Sequence, residues 1–215
     1  MNVRRATALL PSGTLLAACV LGACGALVPT AAARCRVYES GVSVWRDTAR
    51  KQPASARASA NWALAILHGG PAEPAPAAIL MARRLLERAV EIDPGGHLGL
   101  VDLAVLVRGE DPDRAIDLCR RAVALRPRHA GGHHVLGTLL VGRDPAAAER
   151  HLTIAAELAP REPDTLVNLA NLLLAGGNPG RAVPLYRRAL EIDPGHRLAA
   201  HNLAVATGAA GGDSR

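Results

Sequence analysis

Residues 163–196 read PDTLVNLANLLLAGGNPGRAVPLYRRALEIDPGH, and the spacing within them decides the fold. Leu166, Leu169, Ala170 and Leu173 recur at three- and four-residue intervals, which lays one apolar stripe along a helix. Gly176-Gly177-Asn178-Pro179-Gly180 breaks that stripe with turn chemistry. A second stripe then runs through Ala182, Tyr186 and Ala189 and ends at Pro194, whose ring cannot continue a helix. The unit is a helical hairpin.

Working upstream, the second-helix pattern returns as Ala148, Leu152, Ala155 and Pro160, as Ala115, Cys119, Ala122 and Pro127, and as Ala82, Leu86, Ala89 and Pro94. Successive prolines lie 33, 33 and 34 residues apart. A first-helix stripe precedes each, as in Leu100, Leu103, Ala104 and Val107, and small residues at Ala63, Ala104, Gly137 and Ala170 let the paired helices approach closely. Turn signals recur at Arg108-Gly109-Glu110-Asp111-Pro112 and Gly142-Arg143-Asp144-Pro145, with proline at the helix start, where its missing N–H would be unpaired in any case.

Four such hairpins, each of about 34 residues, resemble the tetratricopeptide repeat (TPR) family. The resemblance spans residues 56–209. It implies an all-α, right-handed helix-turn-helix solenoid whose concave groove is lined by the first helix of each pair. The expected repeats are 56–96, 97–129, 130–162 and 163–196. Residues 34–55, with Trp45 at the bulky position, are expected to hold an N-terminal capping helix. Residues 197–209 form a C-terminal capping helix that solvates the last interface, and 210–215 are a tail. The first repeat carries extra residues at His68-Gly69-Gly70-Pro71-Ala72-Glu73-Pro74-Ala75-Pro76, read as a surface insertion.

Composition agrees with helices. The 215-residue chain is 49% apolar with two Trp, two Tyr and no Phe, and Ala and Leu outweigh the β-branched residues that strands favour. A disordered chain is excluded by that apolar content together with a formal charge of only +6. Lys51 is the one lysine among 25 basic residues, and the arginines are dispersed among acids, so nucleic acid is not an expected partner.

The N-terminus is different in kind. Arg4 and Arg5 precede an uncharged stretch from Ala6 to Ala33 that is most apolar between Leu15 and Val28. Three readings stay open for residues 1–33: a cleaved signal with small residues at Ala31-Ala32-Ala33, a membrane helix, or a lipoprotein signal with Leu16-Ala17-Ala18-Cys19 resembling a lipobox and Cys19 as the lipidation site. All three imply a cell-membrane or extracytoplasmic location. Positive charges after the segment argue for the opposite orientation. Val44-Trp45-Arg46-Asp47-Thr48 with Pro53, Arg57-Ala58 and Asn61 is similar to the segment after the last membrane helix in bacterial transmembrane-and-TPR mannosyltransferase-like proteins. That resemblance implies repeats on the non-cytoplasmic side. Transferase activity is not carried over, since that family's many membrane helices and catalytic loops are absent from the sequence.

Chemistry finds little support. No phosphate loop, dinucleotide fingerprint or H-E-x-x-H occurs, and no cofactor is expected. His129 and His133 stand at i, i+4 beside His134, but a metal needs a third ligand, so the expectation is packing or exposure and no metal. Cys119 is read as a buried small hydrophobe. Asp47, Glu87, Glu91, Asp93, Glu191 and Asp193 are read as solvated charges, and the chain as non-enzymatic.

Binding is better supported. Asn61, Asp102, His134, Asn168, Asn171, His201 and Asn202 are expected to face the groove, with Leu64, Val101, Val105, Val135, Thr138, Val167 and Val205 among them. Asn61, Asn168 and Asn202 occupy equivalent positions, resembling the asparagine ladder of O-GlcNAc transferase repeats, and an amide can both donate to and accept from a peptide backbone. Asp102 and Val135 interrupt that ladder. The same asparagines have a second reading, as ties between hairpins. The chaperone-adaptor clamp for a C-terminal carboxylate is disfavoured, because the corresponding positions lack lysine. The leading expectation is therefore a noncatalytic scaffold that binds a protein or peptide partner, and the alternatives are an accessory subunit of a glycosyltransferase or envelope assembly, or a histidine-based metal binder.

Overall fold

The computed structural model describes residues 40–69 and 73–212, which form ten α-helices and no strand. They are α1 (Gly41–Lys51), α2 (Ala56–His68), α3 (Pro76–Ile92), α4 (His97–Val107), α5 (Pro112–Leu125), α6 (Ala130–Leu140), α7 (Pro145–Leu158), α8 (Pro163–Ala175), α9 (Pro179–Ile192) and α10 (Arg197–Gly212). Four hairpins, α2/α3, α4/α5, α6/α7 and α8/α9, stack in chain order between α1 and α10. The result is a helical solenoid. The first capping helix begins at Gly41, behind Ser40, and α10 continues past the expected residue 209 to Gly212. Residues 1–39, including Cys19, lie outside the described residues, as do 213–215.

Local chemistry sets the boundaries. Proline opens α3, α5, α7, α8 and α9 at the first turn. Asp111 accepts from the Arg114 N–H at 2.9 Å and Asp144 from the Ala147 N–H at 2.9 Å, so each satisfies one orphan donor. At the far end, Asp93, Arg126, Ala159 and Asp193 each precede a proline and have ψ of 85°, 79°, 73° and 93°. The ring of the following proline disfavours the helical region for the residue before it, so all four second helices stop at the same register.

The 34-residue spacing of the last repeat has a visible cause. In the two preceding repeats the turn closes by Asp111 N–H to Val107 O and Asp144 N–H to Leu140 O, both at 2.8 Å. In the last, Asn178 N–H reaches Leu173 O at 2.9 Å, one residue further along. The inserted residue must turn left-handed, and Gly177 has φ +73°. No other described residue has positive φ.

Packing follows the two stripes. Leu100, Leu103, Ala104, Val107, Leu166, Leu169, Ala170 and Leu173 are all buried, as are the second-helix residues Leu86, Cys119, Leu152 and Tyr186. Burial pushes the Cys119 thiol up to about 12, consistent with an inert, packed side chain. At Gly137 an added Cβ would sit 2.7 Å from Leu152 Cγ, so the closest approach within α6/α7 depends on the missing side chain. Two buried clusters result, one from Ala63 to Ala148 and one from Leu152 to Ala206, with Leu172 packed against both.

Glu87 corrects the expectation of solvated acids. It is half-buried and accepts from Arg83 at 3.4 Å and from Arg114 of the next hairpin at 3.0 Å. Arg181 to Glu149 at 2.7 Å spans the α7 and α9 helices in the same manner. Asp93 and Asp193 accept from the Gly95 and Gly195 N–H groups and so shape turns.

Candidate partner-binding groove

The candidate groove is the face of the helices α2, α4, α6, α8 and α10, whose equivalent positions are Asn61, Asp102, Val135, Asn168 and Asn202. At its N-terminal end a cavity of about 540 Å³ opens between α2 and α4, with Asn61, Leu64, Leu98 and Asp102 in its lining. Leu98 is 56% exposed, a large apolar side chain that sequence reasoning missed. It stands one turn before the ladder position, and Leu198 occupies the same place on α10. That i, i+4 relation was the available signal.

The ladder positions differ in what already occupies them. Asn202 Nδ2 donates to Asn171 Oδ1 at 2.7 Å, and the same oxygen accepts from the Tyr186 hydroxyl at 2.6 Å. Burial pushes the Tyr186 phenol up, with the nearby Asn202 amide opposing. These three side chains join α8, α9 and α10. Asn61 and Asn168, both half-buried, have no side-chain hydrogen bond to the described residues. Their amides are uncommitted.

His134 hydrogen-bonds through Nδ1 to Thr165 Oγ1 at 2.8 Å, linking α6 to α8. Burial lowers its pKa, with Asp164 and Glu162 opposing. His201 is exposed. Asp102 is half-buried, and burial raises its carboxyl above the usual range while His68 opposes. Val105 and Val205 are exposed as expected, at 39% and 50%. Val101 and Val167 are not groove residues. At 8% and 1% exposure they lie in the seams of the core, Val101 packing toward Gly132 of the next hairpin.

The remaining histidines build structure around α6. His129 Nδ1 accepts from the Gly132 N–H at 3.0 Å and caps the helix. His133 is buried, with Nε2 3.0 Å from Pro127 O and Nδ1 2.9 Å from His151 Nδ1. The carbonyl can only accept, so His133 carries its proton on Nε2, and His151 donates from its Nδ1. Among the described residues no group of three or more His, Cys, Asp or Glu is placed to hold a metal.

Comparison with known proteins agrees with this architecture. The tetratricopeptide repeat family matches residues 138–197, from the second half of α6 to the start of α10. No curated protein sequence matches the chain. Among solved structures, MamA is 23% identical with a TM-score of 0.57, covering 63% of this chain and 80% of its own. YrrB, described as a TPR protein with an unusual peptide-binding site, is 18% identical with a TM-score of 0.57 over 75% of this chain and 80% of its own. PilF of Pseudomonas aeruginosa is 23% identical with a TM-score of 0.61, covering 70% and 67%. The chain is thus built on the tetratricopeptide-repeat fold, with repeat sequence at 138–197.

Proposed function

We propose that this chain is a noncatalytic scaffold that holds an extended protein segment along the groove of its first helices. The observation that carries the reading is the pair of uncommitted, half-buried amides at Asn61 and Asn168. Each offers one acceptor and two donors to a peptide backbone, while exposed Leu98, Val105, Leu198 and Val205 supply apolar contact. The peptide-binding site named for YrrB is a parallel on the same fold. The uncharged stretch from Ala6 to Ala33, and the similarity of the Val44–Asn61 junction to exported repeat domains, support attachment to or passage across a membrane. Cys19 is the proposed point of lipidation within that stretch.

The test is capture of envelope proteins by the full chain tagged at its C-terminus, against the variant Asn61→Ala with Asn168→Ala. Neither amide has a hydrogen-bond partner among the described residues, so helicity and melting should be unchanged while partner capture falls. A partner retained equally by both proteins would move the interface off the groove.

A further inference from the structure

Asp102 stands where Asn61, Asn168 and Asn202 have amides, so the groove carries one carboxylate on its ladder line. It has no hydrogen bond and no ion pair with any described residue. A half-buried carboxylate in that condition has lost much of its hydration without a hydrogen bond in return, and only the charge of His68 acts on it. The cavity beside it, of about 540 Å³, has apolar walls in Ala60, Leu64 and Leu98 and a second polar group in Asn61. Its charged lining is two carboxylates, Asp93 and Asp102, against the one arginine Arg57, with His97 nearby. Asp93 is exposed and already accepts from the Gly95 N–H, whereas Asp102 is half-buried and accepts from no described residue.

We infer that this end of the groove is a pocket for an arginine side chain of the bound segment, its stem on Leu64 and Leu98 and its guanidinium on Asp102 and the Asn61 carbonyl oxygen. A guanidinium is planar and presents several N–H donors in a fork, so one group can serve a carboxylate and an adjacent amide oxygen together. A lysine has the charge but meets both acceptors less well. The inference rests on the groove reading above and narrows the partner to segments with a basic residue.

Two measurements separate this pocket from the groove as a whole. In the first, the isotopically labelled full chain is titrated with Nα-acetyl-arginine methylamide and with the citrulline analogue, which has the shape without the charge. Amide signals of Asn61, Gly99 and Asp102 should move with the arginine compound only, and Asp102→Asn should weaken that binding at least about tenfold. This substitution restores the amide found elsewhere on the ladder, so the fold is preserved. Equal response to both compounds, no response, or an unchanged affinity in Asp102→Asn overturns the inference. If binding emerges only in Arg57→Ala, the cation on Asp102 is the chain's own Arg57, and the inference also falls.

In the second, a displayed library of random octapeptides is selected on the parent and on Asp102→Asn. Arginine enrichment that disappears with Asp102→Asn supports the pocket. Selected peptides without basic residues, yet dependent on Asn61 and Asn168, leave the groove reading standing and sink the arginine pocket. Binding of the arginine compound with no selected peptide does the reverse.

Discussion

Asn202 Nδ2 donates to Asn171 Oδ1 at 2.7 Å, from the terminal helix α10 back to the first helix of the last hairpin. The same oxygen accepts from the hydroxyl of Tyr186, which is 0% exposed, so a polar network joins Asn171, Tyr186 and the ladder residue Asn202. The asparagines therefore divide by residue: Asn171 and Asn202 tie α8, α9 and α10 together, and the side chains of Asn61 and Asn168 have no hydrogen bond to the described residues.

Removing the shared acceptor should matter more than removing one donor. Asn171→Ala leaves the buried Tyr186 hydroxyl without its acceptor, at a cost of about 1–3 kcal/mol. Asn202→Ala leaves that bond in place and should cost only about 0.5–1.5 kcal/mol. Melting followed by circular dichroism should fall roughly 2–4 °C per kcal/mol. Tyr186→Phe in the Asn171→Ala background should recover part of the loss, and equal melting of the two single variants would contradict this ranking.

Gly137→Ala sets two effects against each other. Alanine is favoured over glycine inside a helix by about 0.8–1.0 kcal/mol. The new methyl, however, would meet Leu152 Cγ at 2.7 Å and its backbone nitrogen at 3.2 Å, and overpacking costs typically about 1–3 kcal/mol. The clash involves backbone as well as side chain and should win, lowering the melting temperature by several degrees. Leu152→Ala combined with Gly137→Ala should be less damaging than the sum of the two, and simple additivity would show that the helices separate freely.

Acid should loosen the middle of the array. Burial is the chief cause that lowers His129, His134 and His151 from the ordinary 6.5, with His97 and His133 adding repulsion at His129 and with His133, Arg150 and Arg120 adding it at His151. For His134 the carboxylates of Asp164 and Glu162 act in the opposite sense. The unfolded chain then takes up protons before the folded one, so these groups' stability is complete above about 6.5 and declines as the pH drops through 6.5 toward the lower folded values. Protonation of His129 Nδ1 also removes the acceptor that caps α6. Melting temperature should be flat from pH 8 to 7 and fall between pH 6.5 and 5, with a shallower fall in His129→Asn, which keeps a capping acceptor. A flat profile down to pH 5 would refute the buried-neutral assignment.

The sequence by itself determined the solenoid, because its signals are local. Helical periodicity, prolines at helix starts and the residue before each terminal proline all act within one or two turns, and they end the second helices at Asp93, Arg126, Ala159 and Asp193 wherever the hairpins go. Even the 34-residue spacing is legible, since an added residue before Pro179 needs a left-handed glycine and finds it at Gly177. Only the tertiary structure decided which ladder residues are free. Asn171 and Asn202 are 31 residues apart, His134 and Thr165 likewise, and Glu87 and Arg114 are 27 apart. Whether such pairs meet depends on how one hairpin rotates against the next, which periodicity leaves open. The same rotation buries Val101 and Val167 in the seams and leaves Leu98 and Asp102 at the cavity between α2 and α4. A helix face can be read from one helix, whereas a binding surface needs the neighbour's atoms.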